Sequence, residues 1–136
     1  MIESLQKIWR QIGGTCFVEE LETMRGAACD RLRENPAPEK LWASLSLYQN
    51  WPFRTARDLE FTYTIRGGEL FVSRKEKSVT RSSVDMALKR VLELGGGSLP
   101  ARVSGPKKLG VFGASYLYPI FARLGMILKE DKHETV

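Results

Sequence analysis

The segment from Leu59 to Lys75 limits the fold more than any other part of this 136-residue chain. Leu59, Phe61, Tyr63 and Ile65 alternate with Glu60, Thr62, Thr64 and Arg66, the two-residue period of a half-buried strand. Gly67-Gly68 follows, and tight two-residue hairpin turns need the positive φ values that glycine adopts. Folding the chain there sets Ile65 opposite Leu70 and Tyr63 opposite Val72 on the buried face. Arg66 then meets Glu69, and Glu60 meets Lys75. A hairpin over residues 59–75 is the fixed point around which the rest must pack.

On both sides of it the apolar period lengthens to three and four. Ile2, Leu5, Ile8, Trp9 and Ile12 predict a first helix, stopped by Gly13-Gly14. A second helix is expected from about Phe17 to Arg33, with Thr15 as N-cap, acidic Glu19, Glu20 and Glu22 early and basic Arg31 and Arg33 late. Pro36 or Pro38 then suits the first turn of a third helix carrying Leu41, Leu45 and Tyr48 on one face and ending at Asn50-Trp51-Pro52. After the hairpin, Val84, Leu88, Val91 and Leu92 form a helical stripe between a Thr80 cap and Gly95-Gly96-Gly97, with Asp85 and Lys89 as an i,i+4 pair. Residues 95–113 read as a Gly/Pro-rich loop with strand pieces near Arg102-Val103 and Val111-Phe112. A last helix is expected near Ser115 to Leu124, with Pro119 in its first turn or at a kink. The expectation is one α+β domain over residues 1–128: N-terminal helices, a central antiparallel β-hairpin and C-terminal helices. The charged tail 129–136 is expected to fray.

Composition removes several classes. With 43% hydrophobic residues, 12 Gly and 6 Pro, the chain is neither disordered nor collagen-like. Cys16, Cys29 and the single His133 are too few for a zinc site, so no metal or cofactor is expected, and free thiols suit the cytoplasm. No apolar run reaches the roughly 18 residues of a membrane span, and Glu3, Gln6 and Arg10 interrupt any signal-peptide core. With His133 in the tail, no nucleophile elbow, and Glu60 and Glu69 opposite basic partners, a non-catalytic protein is expected.

The formal net charge of +5 is unevenly spread. Residues 1–50 hold six Lys+Arg and seven Asp+Glu (−1), residues 51–110 hold twelve and six (+6), and residues 111–136 hold three and three (0). The surplus therefore falls on the hairpin, the helix after it and the loop, where a basic face would suit a phosphate-rich partner.

The stretch SVTRSSVDMALKRVLELG resembles the recognition helix of GntR-type helix-turn-helix regulators. Thr80, Arg81, Ser82, Ser83, Val84, Ala87, Leu88, Leu92 and Gly95 carry the resemblance, which covers residues 78–95. It reaches residue 112 if Gly105, Gly110, Val111 and Phe112 imitate a wing. The resemblance implies a winged-helix-like arrangement with this helix presented to DNA. Arg74 and Lys77, however, stand where the preceding helix of that motif carries apolar residues, in a stretch that reads as a strand.

The expected function is nucleic-acid binding, with DNA favoured. Arg81, Ser82, Ser83 and Lys89 lie on the presented helix, and Arg74, Lys75, Lys77, Lys107 and Lys108 hold phosphates. The alternative is an accessory subunit docking a protein partner or a second copy of itself, with the charge only solubilising. Tyr116 and Tyr118, beside the Gly-rich loop, are candidates for a surface aromatic role, with inward packing as the alternative for Tyr118 and Phe121.

Overall fold

In the computed structural model, which describes residues 14–74 and 78–129, the helix expected from Phe17 begins earlier, and α1 spans Gly14–Glu34. Thr15 therefore lies inside the helix instead of capping it. The first helix expected over residues 2–12 falls outside the described residues, as do Lys75, Lys77 and His133. Helix α2 spans Pro38–Leu47, with Pro38 in the first turn, where its missing N–H costs nothing. Its Leu41 and Leu45, and Tyr48 just beyond, are buried as their spacing requires.

The hairpin forms in the expected register, but it is shorter than the alternation suggests. Strand β3 (Tyr63–Arg66) pairs antiparallel with β4 (Glu69–Val72), setting Tyr63 against Val72, Ile65 against Leu70 and Arg66 against Glu69. Gly67 and Gly68 make the turn with φ of 57° and 75°. Upstream of Thr62 the partner changes: β1 (Phe53–Arg54) pairs with β2 (Glu60–Phe61). The cause is a tight return at Thr55–Asp58, where Asp58 N–H donates to the Thr55 carbonyl at 2.8 Å and Asp58 takes a φ of 64°. Glu60 accordingly faces Arg54, 3.4 Å away, while Leu59 is left exposed. The expected pairing of Glu60 with Lys75 lies outside the described residues. Phe61 and Tyr63 each stack on Phe53, with centroids 5.6 and 5.7 Å apart.

Thr80 caps α3 (Arg81–Leu94), which ends at Gly95. Strand β5 (Ala101–Val103) follows, then a 3-10 turn (Pro106–Leu109), α4 (Ala114–Arg123) and β6 (Ile127–Lys129). Val111-Phe112 is a turn and not the expected strand piece. The partner of β5 is β6, in parallel, which the 3-10 turn and α4 make possible as the crossover that parallel strands require. Pro119 sits in the second turn of α4, deeper than expected; the carbonyl it deprives of a partner belongs to exposed Ser115, where water can take the bond.

These elements give an α+β fold around one apolar cluster running from Cys29 and Leu32 through Leu70, Val84 and Val91 to Phe121 and Ile127. Two buried phenols tie elements together: Tyr63 donates to the Leu45 carbonyl and Tyr118 to the Val103 carbonyl, both at 2.6 Å. Each such bond stabilises by about 1 kcal/mol. Among the described residues no helix is long and apolar enough to cross a membrane.

Candidate nucleic-acid interface

Helix α3 owes its position to its buried stripe, Val84, Ala87, Leu88 and Val91, which turns Ser82, Met86 and Lys89 to solvent. Its start is fixed by Thr80, whose hydroxyl oxygen accepts from Ser83 N–H and donates to Ser83 Oγ, both at 3.2 Å. Ser83 is thus engaged in the cap, whereas Ser82 is exposed beside it.

Arg81 is exposed but held. Its guanidinium carbon lies 5.1 Å from the Trp42 ring centre, and its Nε is 3.8 Å from Asp85 Oδ2. The other Asp85 oxygen accepts from Trp42 Nε1 at 3.0 Å. Asp85 therefore serves Trp42 and Arg81, not the expected Lys89. That leaves Lys89 exposed with no carboxylate within ion-pair distance among the described residues.

Lys107 and Lys108 stand exposed on the 3-10 turn, which buried Leu109 anchors to the core. Arg90 Nε donates to the Lys108 carbonyl at 3.0 Å, joining this turn to α3. Arg90, Lys107 and Lys108 are thereby gathered at one junction, and Glu93, 3.6 Å from Arg90, is the acidic neighbour. Arg81 and Arg90 lie nine residues apart, roughly 13 Å along α3 and about two and a half turns. They therefore stand on opposite flanks of its exposed face, one toward Trp42 and the other toward the 3-10 turn. Arg74 is exposed in the turn after β4.

The loop before α4 docks on the start of α3. Gly113 lies so close to Val79 that a Cβ there would fall 2.7 Å from Val79 Cγ2. Phe112, next to it, is 49% exposed, and Met86 on α3 is 58% exposed. Met86 is the exposed group that sequence reasoning had no cause to expect, being an apolar residue within the helix. Of the two tyrosines expected at the surface, Tyr118 is buried and Tyr116 is half-buried, its ring edge-on to Phe61 at 5.0 Å.

No known protein family, curated protein or solved structure matches this chain. The chemistry of the interface therefore rests on its own residues. Among those described, no group of three His, Cys, Asp or Glu side chains could hold a metal ion. Cys29 is a buried free thiol whose ionisation burial pushes above the usual range. The chemistry on offer at the α3 surface is hydrogen-bond donation and positive charge: exposed ammonium and guanidinium groups with a hydroxyl at a helix start.

Proposed function

We propose that the protein is a non-catalytic nucleic-acid-binding protein of the cytoplasm, with duplex DNA as its first partner. The solvent face of α3 and the 3-10 turn supply the contacts. The observation that carries this reading is the Arg90 bond to the Lys108 carbonyl, because it makes one cationic junction from two elements. In this reading Lys89, Arg90, Lys107 and Lys108 hold phosphates, and Arg74, Lys75 and Lys77 extend the contact. Arg81, steadied by Trp42 and Asp85, and Ser82 reach toward base edges or backbone, in keeping with the resemblance of residues 78–95 to a GntR-type recognition helix.

Fluorescence anisotropy with labelled duplex and single-stranded oligonucleotides at two salt concentrations tests the proposal. Binding should weaken steeply with salt, and Lys107→Ala/Lys108→Ala should flatten the log–log slope by about 0.9 for each phosphate no longer neutralised. Absence of binding at low salt, or a double variant that binds as the wild type does, would remove the reading.

The exposure of Met86 and Phe112 favours a second reading, in which a protein partner docks on the same face. Such a contact would hardly respond to salt and would be weakened by Met86→Ser, not by removal of the lysines.

A further inference from the structure

Beyond the end of α2, Tyr48 and Trp51 meet edge to face, their centroids 5.3 Å apart and their planes at 80°. Two guanidiniums stand over this pair. The Arg25 carbon lies 5.0 Å from the Tyr48 ring centre and 4.9 Å from that of Trp51, and the Arg123 carbon lies 5.9 and 4.7 Å from the same rings. Arg25 is anchored, its Nε donating to the Leu47 carbonyl at 2.9 Å. Among the described residues neither arginine has a carboxylate within ion-pair distance. Two like charges thus share one aromatic pair without a described counter-ion. Ring faces attract cations but do not neutralise them.

Arg123 also lines a shallow, solvent-open groove of about 540 Å³. Trp51, Pro52, Pro119 and Leu128 supply apolar walls, Arg54 is the second cation, and among the described residues no carboxylate lines the groove. Arg54 is already matched by Asp58 and Glu60 at 3.2 and 3.4 Å. Among the described residues, Arg123 is the cation of the groove with no carboxylate partner, and the Tyr48 phenol is its polar side-chain neighbour. Exposed Leu128 lies on the same wall.

We propose that this groove binds a small organic anion: a carboxylate or sulfonate on an apolar frame, its charge on Arg123 and its body against Trp51, Pro52, Pro119 and Leu128. Both halves of the ligand follow from the lining. Apolar walls reward an apolar body by removing it from water, and an arginine fork pairs with a planar carboxylate or a sulfonate oxygen edge. The site is separate from the α3 face, and its existence does not depend on nucleic-acid binding.

The test uses the intact chain and 1-anilinonaphthalene-8-sulfonate, an apolar anion that fluoresces on leaving water. The expected result is a saturable signal displaced by indole-3-acetate or octanoate, these two arms separating an aromatic from an aliphatic frame. Neutral indole-3-acetamide should compete about two- to fivefold more weakly than its acid, the range an exposed ion pair supports. Arg123→Gln should weaken the probe by a similar factor, with Lys107→Gln/Lys108→Gln unchanged. A readout free of any folding defect is the wild-type indole N–H spectrum: the acid should shift the Trp51 signal and leave that of Trp42, which is bonded to Asp85. Equal competition by acid and amide, an unmoved Trp51 signal, or full binding by a folded Arg123→Gln protein would each overturn the proposal.

Discussion

Arg33 Nη1 donates to the Leu124 carbonyl at 3.0 Å, so a side chain of α1 closes the C-terminal end of α4 across 91 residues of sequence. The second guanidinium nitrogen, Nη2, is held by Asp30 one turn back in α1. The next residue, Gly125, has a φ of 83° and packs directly under the guanidinium, so that a methyl group there would push the Arg33 tip away from the Leu124 carbonyl.

This arrangement predicts a coupled pair. Gly125→Ala should cost at least about 1–2 kcal/mol for the left-handed backbone alone, and more for the collision with Arg33. In an Arg33→Ala background only the backbone part should remain. A urea-denaturation double-mutant cycle checks this, and simple additivity of the two changes would refute the coupling.

Asp85 offers a second measurement. Asp85→Ala strands the Trp42 indole N–H in a buried site and should cost about 1–3 kcal/mol. Asp85→Asn keeps an acceptor for Trp42 and gives up only the exposed pairing with Arg81, so it should cost under about 1 kcal/mol. Thermal melts that rank the two variants the other way would show that the Arg81 pair, not the indole bond, matters.

Alkaline pH should destabilise the protein. Burial raises the Tyr63 and Tyr48 phenols above their ordinary value of 10.0 and the Cys29 thiol above 9.0. The folded state keeps protons that the unfolded chain releases. The stabilisation from these groups is therefore complete below the unfolded values and is lost as pH rises past them, at up to about 1.4 kcal/mol per pH unit for each group. Denaturation midpoints should fall from about pH 9 upward. A midpoint still constant at about pH 10.5 would contradict the burial of these groups.

Ser44 is wholly buried beside the Cys29 thiol, and its hydroxyl has no oxygen or nitrogen partner among the described residues. Removing an unpaired buried hydroxyl relieves its desolvation, so Ser44→Ala should stabilise the protein, by up to about 1 kcal/mol. A lower melting temperature would show that Ser44 has a partner.

What the sequence revealed was local. The β3–β4 register and the Thr80 cap depend on residues that are neighbours in the chain, and the spacing of Tyr63, Ile65, Leu70 and Val72 determines them without reference to the rest. The β1–β2 pairing escaped because Asp58, a non-glycine residue at positive φ, makes a turn that carries no glycine or proline signal. The β5–β6 pairing escaped because strands of three residues are too short to show a period, and their contact depends on how α4 crosses between them. At the α3 surface, the sequence identified the exposed lysines. The partners of Arg81 and Arg90 lie on α2 and the 3-10 turn, where only the folded chain brings them together.

The three sheets of the described residues each contain two strands. Outer strand margins with unspent backbone hydrogen bonds invite a second molecule to add a strand. The β3–β4 ribbon closes part of its own: Leu70 exchanges two bonds with Val79 on one side, and the Tyr63 carbonyl and Ile65 N–H bond Asn50 and Gln49 on the other. Here the strands are two to four residues long and carry Arg54, Glu60, Arg66 and Arg102 as exposed charges. These strand charges, none of which belongs to the α3 surface, guard against fibrillar self-assembly. Neutralising them should reduce the colloidal solubility of the protein.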